Sequence, residues 1–565
     1  METRNRKFKI LIVLIILFSL GAAAEVILAS AKYGPGITHD SVAYMYSAQS
    51  FINGEGFQYF GYPSPFIQWP PLYPIMLALG ELVGLTVNQT AILINSVAFA
   101  LIVFFAGKWM RYKFKKSWIA LSGALLISLS VPLLHVSQYL WTETMFILFL
   151  LLAYISMEKF ILSGKYKSLI FSGIFSALAC LERYAGVTIV ASSCLVLLFS
   201  GMKINLNNNR KIISNRAWTG VINAAVYGAI SIIPMGIWVI RNYIVSGTLL
   251  GVRLPSVYPL AVNIKRALQS IYTWVIPEEL LSHYISVPIL RQMRLLAIIL
   301  PTVIIVASLI FLICKAVTNK SIKVRINASN LHPDEIQSSG QNRGLVSDIR
   351  KHDKIFPIAF FTLFSVVYVA YLIASATTVA FEPINSRYLI PIYIPIVLVT
   401  LTMLDGLLCR MKTHSLVGRV PIYLLAVLFL IYPLLNTVAA VQSSRQNGAG
   451  GYATDDWRER DGFLKYMKLD ESLQTSGQVT YYSNYADVVY AFSGVRTYCL
   501  PKKEGPYMYC LEQFKASVKE NESSMLIWLD GSVPETLYNL EELSAMFQIK
   551  EIGSFEYGKI YEIMK

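Results

Sequence analysis

Apolar and polar positions alternate along this chain on a long scale. Apolar runs of roughly 18 to 22 residues, the length that crosses a hydrocarbon core about 30 Å thick, are separated by short polar stretches. The runs fall at about residues 10–30, 88–107, 118–137, 141–162, 168–181, 185–201, 217–240, 294–314, 355–379, 388–408 and 420–441, and predict about eleven membrane-spanning helices. After residue 442 the pattern changes. QVTYYSNYADVVYAFSGV and SMLIWLD read as strands with a helix between them, and IKEIGSFEYGKIYEIM reads as a closing hairpin. The fold class expected is therefore a polytopic α-helical membrane protein with a small α/β C-terminal domain. The division is 1–442 for the membrane domain, with a first long loop over 31–87, and 443–565 for the C-terminal domain. Segment 315–354 is polar and patternless, and reads as a disordered loop.

Composition agrees with this layout. Of 565 residues 55% are hydrophobic and 15% charged, and the mean hydropathy is +0.52. A soluble fold cannot bury so much apolar surface. The net charge of +15 first suggests a nucleic-acid partner, but its distribution argues otherwise. Residues 443–565 hold 13 basic and 18 acidic residues, a balance of −5, which leaves +20 on the rest. Most of that excess sits in alternate short loops: 108–116, 157–167, 202–216, 315–354 and 409–414. Such an excess marks cytoplasmic loops, so the charge reports orientation and no nucleic acid is implied. Arg4, Arg6, Lys7 and Lys9 precede the first span and place the N-terminus inside; eleven spans then put 443–565 outside. The first span is read as a retained anchor, since no small-residue cleavage site follows it. Loop 241–294 departs from the pattern, with six arginines and lysines on the outer side.

An ionisable side chain costs roughly 2.5–3.5 kcal/mol at the centre of a membrane helix, so those near the spans need a reason. Five stand out: Asp40, Glu143, Arg183, Arg241 and Arg387. All fall at the outer ends of their spans although about 350 residues separate the first from the last. Each also has a plain structural reading. Asp40 suits the first turn of a helix over 41–52, Glu143 suits a helix start, and the arginines can snorkel to headgroups. Together, two carboxylates and three guanidiniums on one face suit sugar transfer from a polyprenyl phosphate. A phosphate leaving group needs cations rather than a general acid, and arginine grips it bidentately. The attacking hydroxyl needs one carboxylate base, which differs from the paired acid and base of hydrolases.

With its acid after the first span, RYAG at 183–186, WVIRN at 238–242, SRYLIP at 386–391 and YYSNYADVVYAFSGV at 481–495, the chain resembles the GT-C glycosyltransferases. That superfamily includes the protein O-mannosyltransferases and the lipid A aminoarabinose transferases. The resemblance implies that Asp40 is the catalytic base and Glu143 the second acid of the site. It also implies that Tyr44, one turn after Asp40, helps to bind substrate together with Arg183, Arg241 and Arg387. QWPPL at 68–72 departs from the aminoarabinose branch, where Glu-Lys-Pro-Pro-Leu carries a phosphate-contacting lysine. Trp69 replaces that lysine, which disfavours aminoarabinose transfer and leaves Lys265 or Arg266 as further phosphate contacts. The tandem acidic pair of the protein O-mannosyltransferases is absent, because His39 precedes Asp40 and Ser41 follows it.

The function expected is an inverting membrane glycosyltransferase, hexosyl or pentosyl, with an undecaprenyl- or dolichyl-phosphate sugar donor and a lipid, glycan or protein acceptor. No cofactor is expected, and no motif supports a divalent metal. A flippase for lipid-linked sugars is one rival, and a non-catalytic lipid- or sugar-binding assembly protein is another. The location expected is a prokaryotic inner membrane, with the endoplasmic reticulum second. Cys499 and Cys510, both in the C-terminal domain, leave a disulfide open; Cys180, Cys194, Cys314 and Cys409 lie in or beside spans.

Overall fold

In a computed structural model, the chain is described except for residues 1, 63, 202–209, 275–353, 381, 411–419, 455–456, 458–478, 504–509, 522, 532–535, 556 and 565. The expected span 294–314 and the polar segment 315–354, up to residue 353, lie outside the described residues. Every other expected span is met by helix: α1 (Glu2–Ala29), then, beyond two loop helices, α2 (His39–Ile52) and α3 (Leu72–Leu82), come α4 (Val87–Lys113), α5 (Ser117–Ser128), α6 (Val131–Ser137), α7 (Glu143–Ser163), α8 (Tyr166–Glu182), α9 (Val187–Gly201) and α10 (Arg210–Ser246). They are followed by α11 (Leu260–Thr273), α12 (Ile355–Thr378), α13 (Ser386–Leu389), α14 (Tyr393–Arg410) and α15 (Val420–Asn447). Six helices among the described residues are long and apolar enough to cross a membrane, or seven if the bent pair α5 and α6 counts as one span. The protein is thus a multi-pass membrane protein.

The lipid-facing surface can be read from side chains that water would not tolerate. Leu17, Leu20, Ile237, Ile240 and Ile244 are more than half exposed. In water each would forfeit on the order of 1.5–3 kcal/mol of burial; in hydrocarbon that penalty vanishes. The inward stripes of the same helices pack with one another. α1 lies against α4, α5 and α15, α7 lies between α4 and α8, and α9 packs on α10 and α12.

Two local features shape the site. Between α8 and α9 the helix stops at Arg183, whose extended backbone (φ −147°, ψ 138°) starts a short 3-10 turn over Tyr184–Gly186. Gly186 closes that turn so tightly that a Cβ would sit 2.5 Å from the backbone nitrogen of Cys180, which only glycine avoids. The first loop folds back over the helix ends as α2, a two-residue strand pair β1 (Gln58–Tyr59) and β2 (Ser64–Pro65), and α3. At the start of α2, the Thr38 backbone amide donates to Ser41 Oγ at 3.0 Å, which fixes the first turn where Asp40 sits.

The C-terminal unit is a five-stranded sheet of β3 (Val479–Ser483), β4 (Thr497–Cys499), β5 (Ser523–Leu529), β6 (Gln548–Phe555) and β7 (Gly558–Met564), in the order β4-β3-β5-β7-β6. β3 runs parallel to both β4 and β5, while β7 is antiparallel to β5 and forms the closing hairpin with β6. Successive residues face opposite sides. Tyr481 and Ile527 pack on helix α16 (Ala486–Ser493) through Val488 and Val489, and Tyr482 and Leu526 pack on α17 (Leu511–Glu520) through Phe514 and Val518. Both parallel crossovers are thereby covered by a helix. Cys499 and Cys510 are not joined; Cys499 is half-buried, and burial pushes its thiol up to about 12.

This sheet unit docks on the first loop rather than standing apart. The Tyr452 amide donates to the Ile37 carbonyl at 2.8 Å and the Cys499 amide to the Gly61 carbonyl at 2.7 Å. Gly61, at φ +85°, meets Cys499 with no room for a Cβ. The loop that carries Asp40 is therefore held between the membrane helices and the sheet.

Candidate active site

Four of the five ionisable residues singled out by sequence converge. Arg387 Nε donates to Glu143 Oε1 at 2.6 Å, and its Nη2 donates to Asp40 Oδ2 at 2.7 Å. Arg183 Nη1 reaches the same Glu143 Oε1 at 2.5 Å and donates to Thr142 Oγ1 at 3.0 Å. Four separate elements supply these groups: α2, the first turn of α7, the break after α8, and α13. The segment holding Arg387 is itself braced. Asn385 Oδ1 accepts from the Arg387 amide at 3.0 Å, Tyr368 donates to the Tyr388 carbonyl at 2.8 Å, and Trp274 Nε1 donates to Ser386 Oγ at 2.6 Å.

Burial grades the cluster from inside to outside. The side chains of Glu143 and Arg387 are 1% and 9% exposed, Arg183 is 19% and Asp40 27%. The Arg387 guanidinium also lies 3.7 Å over the Trp141 ring, a contact that suits a desolvated cation. Glu143 is thus the charge that holds two arginines in place, and Asp40 is the carboxylate that meets solvent. Glu143 Oε2 is buried without a hydrogen-bond partner among the described residues.

The remaining predicted residues fall elsewhere. Tyr44 is buried beneath Asp40, edge-on to Phe66, Trp69 and Tyr73 with centroids 6.3, 5.9 and 5.4 Å away. Trp69 stacks on Tyr59 and Phe66, so the tryptophan found where the aminoarabinose branch has lysine is a packing residue of the loop. Arg241 does not join the cluster. Its Nη1 donates to the Phe66 carbonyl at 2.9 Å and its Nη2 to that of Phe57 at 3.2 Å, and its guanidinium covers the Trp238 ring. It pins the β1–β2 turn region to α10. Lys265 is exposed on α11, a helix that packs on α12 and α13 and so adjoins the Arg387 segment. Arg266 lies 4.0 Å over Tyr258, with Nη1 buried and unpartnered among the described residues.

Two residues with bearing on the site carry no role in the sequence reading. Glu182 is 1% exposed, and both its carboxylate oxygens lack partners among the described residues; an acid directly before Arg183 at the end of an apolar run was the available signal. His39 turns away from Asp40 and toward the sheet unit. Its Nδ1 lies 3.4 Å from Asp487 Oδ2 and its Nε2 2.7 Å from the Tyr59 hydroxyl, while Tyr452 donates a short hydrogen bond to the same Asp487. Burial opposes ionisation of Asp487. The His39 contact, the Tyr452 hydroxyl and the Val488 amide outweigh it and hold the carboxyl below its ordinary 3.8.

Among the described residues no group of three or more His, Cys, Asp and Glu is arranged to hold a metal ion. A second charged network lies at the far end of α7. Glu158 pairs with Lys113 at 2.9 Å and accepts from Trp109 Nε1 at 2.7 Å, and Asp405 accepts from the Lys115 and Lys116 amides at 3.1 and 3.0 Å. Fifteen residues of helix separate Glu158 from Glu143, about 22 Å at 1.5 Å per residue, so the two clusters mark opposite ends of the bundle.

The arrangement of spans, first loop and terminal sheet unit is one that a solved structure shares. A family model described as dolichyl-phosphate-mannose-protein mannosyltransferase matches residues 64–249, a stretch that contains Glu143, Arg183 and Arg241 but neither Asp40 nor Arg387. The structure of ArnT from Cupriavidus metallidurans in the apo state superposes with a TM-score of 0.52 at 10% identity, covering 97% of each chain. The S. cerevisiae protein O-mannosyltransferase Pmt1-Pmt2 complex bound to the sugar donor aligns at 19% identity over 43% of this chain and 34% of that one, with a TM-score of 0.34. An Archaeoglobus fulgidus oligosaccharyltransferase aligns at 15% identity over 91% of this chain and 68% of that one, with a TM-score of 0.46. No curated protein matches the chain in sequence.

Proposed function

We propose that this protein is an inverting glycosyltransferase that takes a sugar from a polyprenyl phosphate, with Asp40 as its general base. The observation that carries the reading is one part-exposed carboxylate joined by Arg387 to a buried core of two guanidiniums and Glu143. Asp40 and the donor phosphate compete for Arg387. As the phosphate takes the guanidinium, the carboxylate is released to solvent and to the acceptor. The acceptor oxygen then attacks the anomeric carbon, its proton passes to Asp40, and the bond from that carbon to the phosphate oxygen breaks with its electron pair leaving on polyprenyl phosphate. Arg387, with Arg183 beside it, balances the charge that appears there, and Lys265 and Arg266 on the adjoining α11 are further candidates for that contact. Single inversion is the outcome we assign, because among the described residues of the cluster Asp40 is the part-exposed carboxylate while Glu143 is enclosed and held by two arginines. The basic loops at the opposite end support an outer position for the cluster end and the sheet unit, and a prokaryotic plasma membrane is the location we assign, ahead of the endoplasmic reticulum.

The test uses the full chain in membranes supplied with radiolabelled polyprenyl-phosphate sugars. Asp40→Asn should cut transfer by about 10²–10⁴-fold, the span of a general base. It should leave donor binding equal or tighter, since a competitor for Arg387 has been removed. Undiminished transfer by Asp40→Asn would remove Asp40 from the chemistry, whereas donor binding or movement without cleavage by wild type would favour a binding or flipping protein.

A further inference from the structure

Beside the charge cluster lies a second concavity that the chemistry above does not use. It is a cleft of about 580 Å³ between the first loop, the 246–252 turn after α10 and the sheet unit, within the roughly 300–1,000 Å³ usual for small-molecule sites. One wall is the first loop with Tyr59, Tyr62 and Gln68; the other is the edge strand β4 with Tyr498 and the end of α17 with Glu520 and Asn521. Tyr59 links the cleft to the cluster, because its hydroxyl is bonded to His39, the neighbour of Asp40.

The chemistry of the lining selects its occupant. Among the described residues no lysine or arginine lines it, and the neighbouring Arg253 donates to the Gln68 carbonyl at 3.1 Å, so the lining is poor in cations for a phosphate or an anionic headgroup. Its polar groups are hydroxyls, amides and one carboxylate, which offer donors and acceptors to neutral hydroxyls. The three tyrosines add aromatic faces with polar tips, which suit a ligand apolar on one face and wet at its edges. A peptide adding itself as a strand to β4 is obstructed, because the Cys499 amide is already taken by the Gly61 carbonyl. We infer that this cleft is the acceptor subsite and that the acceptor is a neutral carbohydrate chain. A hydroxyl near its end is presented past Tyr59 to Asp40. The inference rests on the glycosyltransferase reading and assigns that enzyme its acceptor class.

The experiment follows two products from the full chain in its own membranes, supplied with tritiated polyprenyl-phosphate hexoses: free polyprenyl phosphate, and label transferred to an endogenous acceptor. Tyr498→Ala removes an aromatic wall, and Glu520→Ala removes an exposed carboxylate whose loss leaves the sheet core intact. Both should shift the partition between transfer and donor hydrolysis at least tenfold toward hydrolysis, and wild-type label should be recovered in protease-resistant carbohydrate. Label recovered in protein or in lipid A-like material, or a wild-type partition in both variants, would overturn the acceptor subsite while leaving the glycosyltransferase standing. If wild type releases no polyprenyl phosphate from any donor, the glycosyltransferase reading itself fails and the subsite with it.

Discussion

Arg387 is the residue on which the site turns, because one planar guanidinium spans two carboxylates with different nitrogens. Lysine has one nitrogen and does not reproduce the separate Nε and Nη2 contacts at 2.6 and 2.7 Å. Arg387→Lys should therefore fold but lose at least tenfold in donor affinity, read by binding of labelled polyprenyl phosphate. Glu143 has the opposite character. It is fully enclosed with two arginines on one oxygen, and truncating it strands their charge out of water. Removing one partner of a buried pair costs about 3–5 kcal/mol. Glu143→Ala should accordingly lower the unfolding temperature of the detergent-purified chain far more than Asp40→Asn does, and comparable melting of the two variants would contradict the burial order. At this scale the sequence was informative about charged residues and silent about their partners. Asp40, Glu143, Arg183 and Arg387 could be named because charge near an apolar span is conspicuous. Arg241 looked the same, yet it spends its hydrogen bonds on the carbonyls of Phe57 and Phe66, and a chain of letters holds no trace of that choice. Glu182 was passed over because it reads as the polar end of a span.

At the scale of elements, the break between α8 and α9 presents Arg183, and it depends on Gly186. A methyl there would lie 2.5 to 2.7 Å from the backbone of Ala179 and Cys180. Overpacking of this kind costs about 1–3 kcal/mol, and relief by opening the turn would move Arg183 away from Glu143. Gly186→Ala should thus lower both thermal stability and transfer; full activity would show that Arg183 is not positioned by this turn. The two short spans on either side were visible as a shallow interruption in the apolar pattern. The helix α2 was visible too, beginning two residues before the expected 41, because Thr38 and Ser41 set its start. The β1–β2 pair was not legible: two residues per strand leave no periodicity to read.

Across the whole molecule, the sheet unit is tied to the first loop by backbone pairing and by Asp487 against His39. Because the native environment depresses Asp487, its contact stabilises docking fully above the ordinary 3.8 and is lost as pH falls through the lower native value. Proteolytic susceptibility of 443–565 should rise in that acid window, and Asp487→Asn should flatten the dependence; an unchanged profile in the variant would assign the transition to another group. Sidedness has an independent check. Cys409 belongs to the Asp405 end of the bundle and Cys510 to the sheet unit. In single-cysteine variants an impermeant maleimide should label them from opposite sides of sealed vesicles, with Cys510 reached from outside.

The sequence by itself determined that this chain lies in a membrane, roughly where most of its described helices fall, that a small sheet unit closes the chain, and which charged residues need an explanation. Those properties are local: run length, alternation and charge density act over windows of a few to about twenty residues. The tertiary structure alone decided that Asp40 and Arg387, 347 positions apart, share an ion pair, that Arg241 is excluded from it, and that the sheet unit closes over the first loop to leave a cleft lined by tyrosines. Those outcomes depend on which helix ends meet once lipid-facing and inward stripes have sorted themselves. In a medium where apolar contact with lipid is as favourable as contact with protein, packing and a few buried charges choose the neighbours.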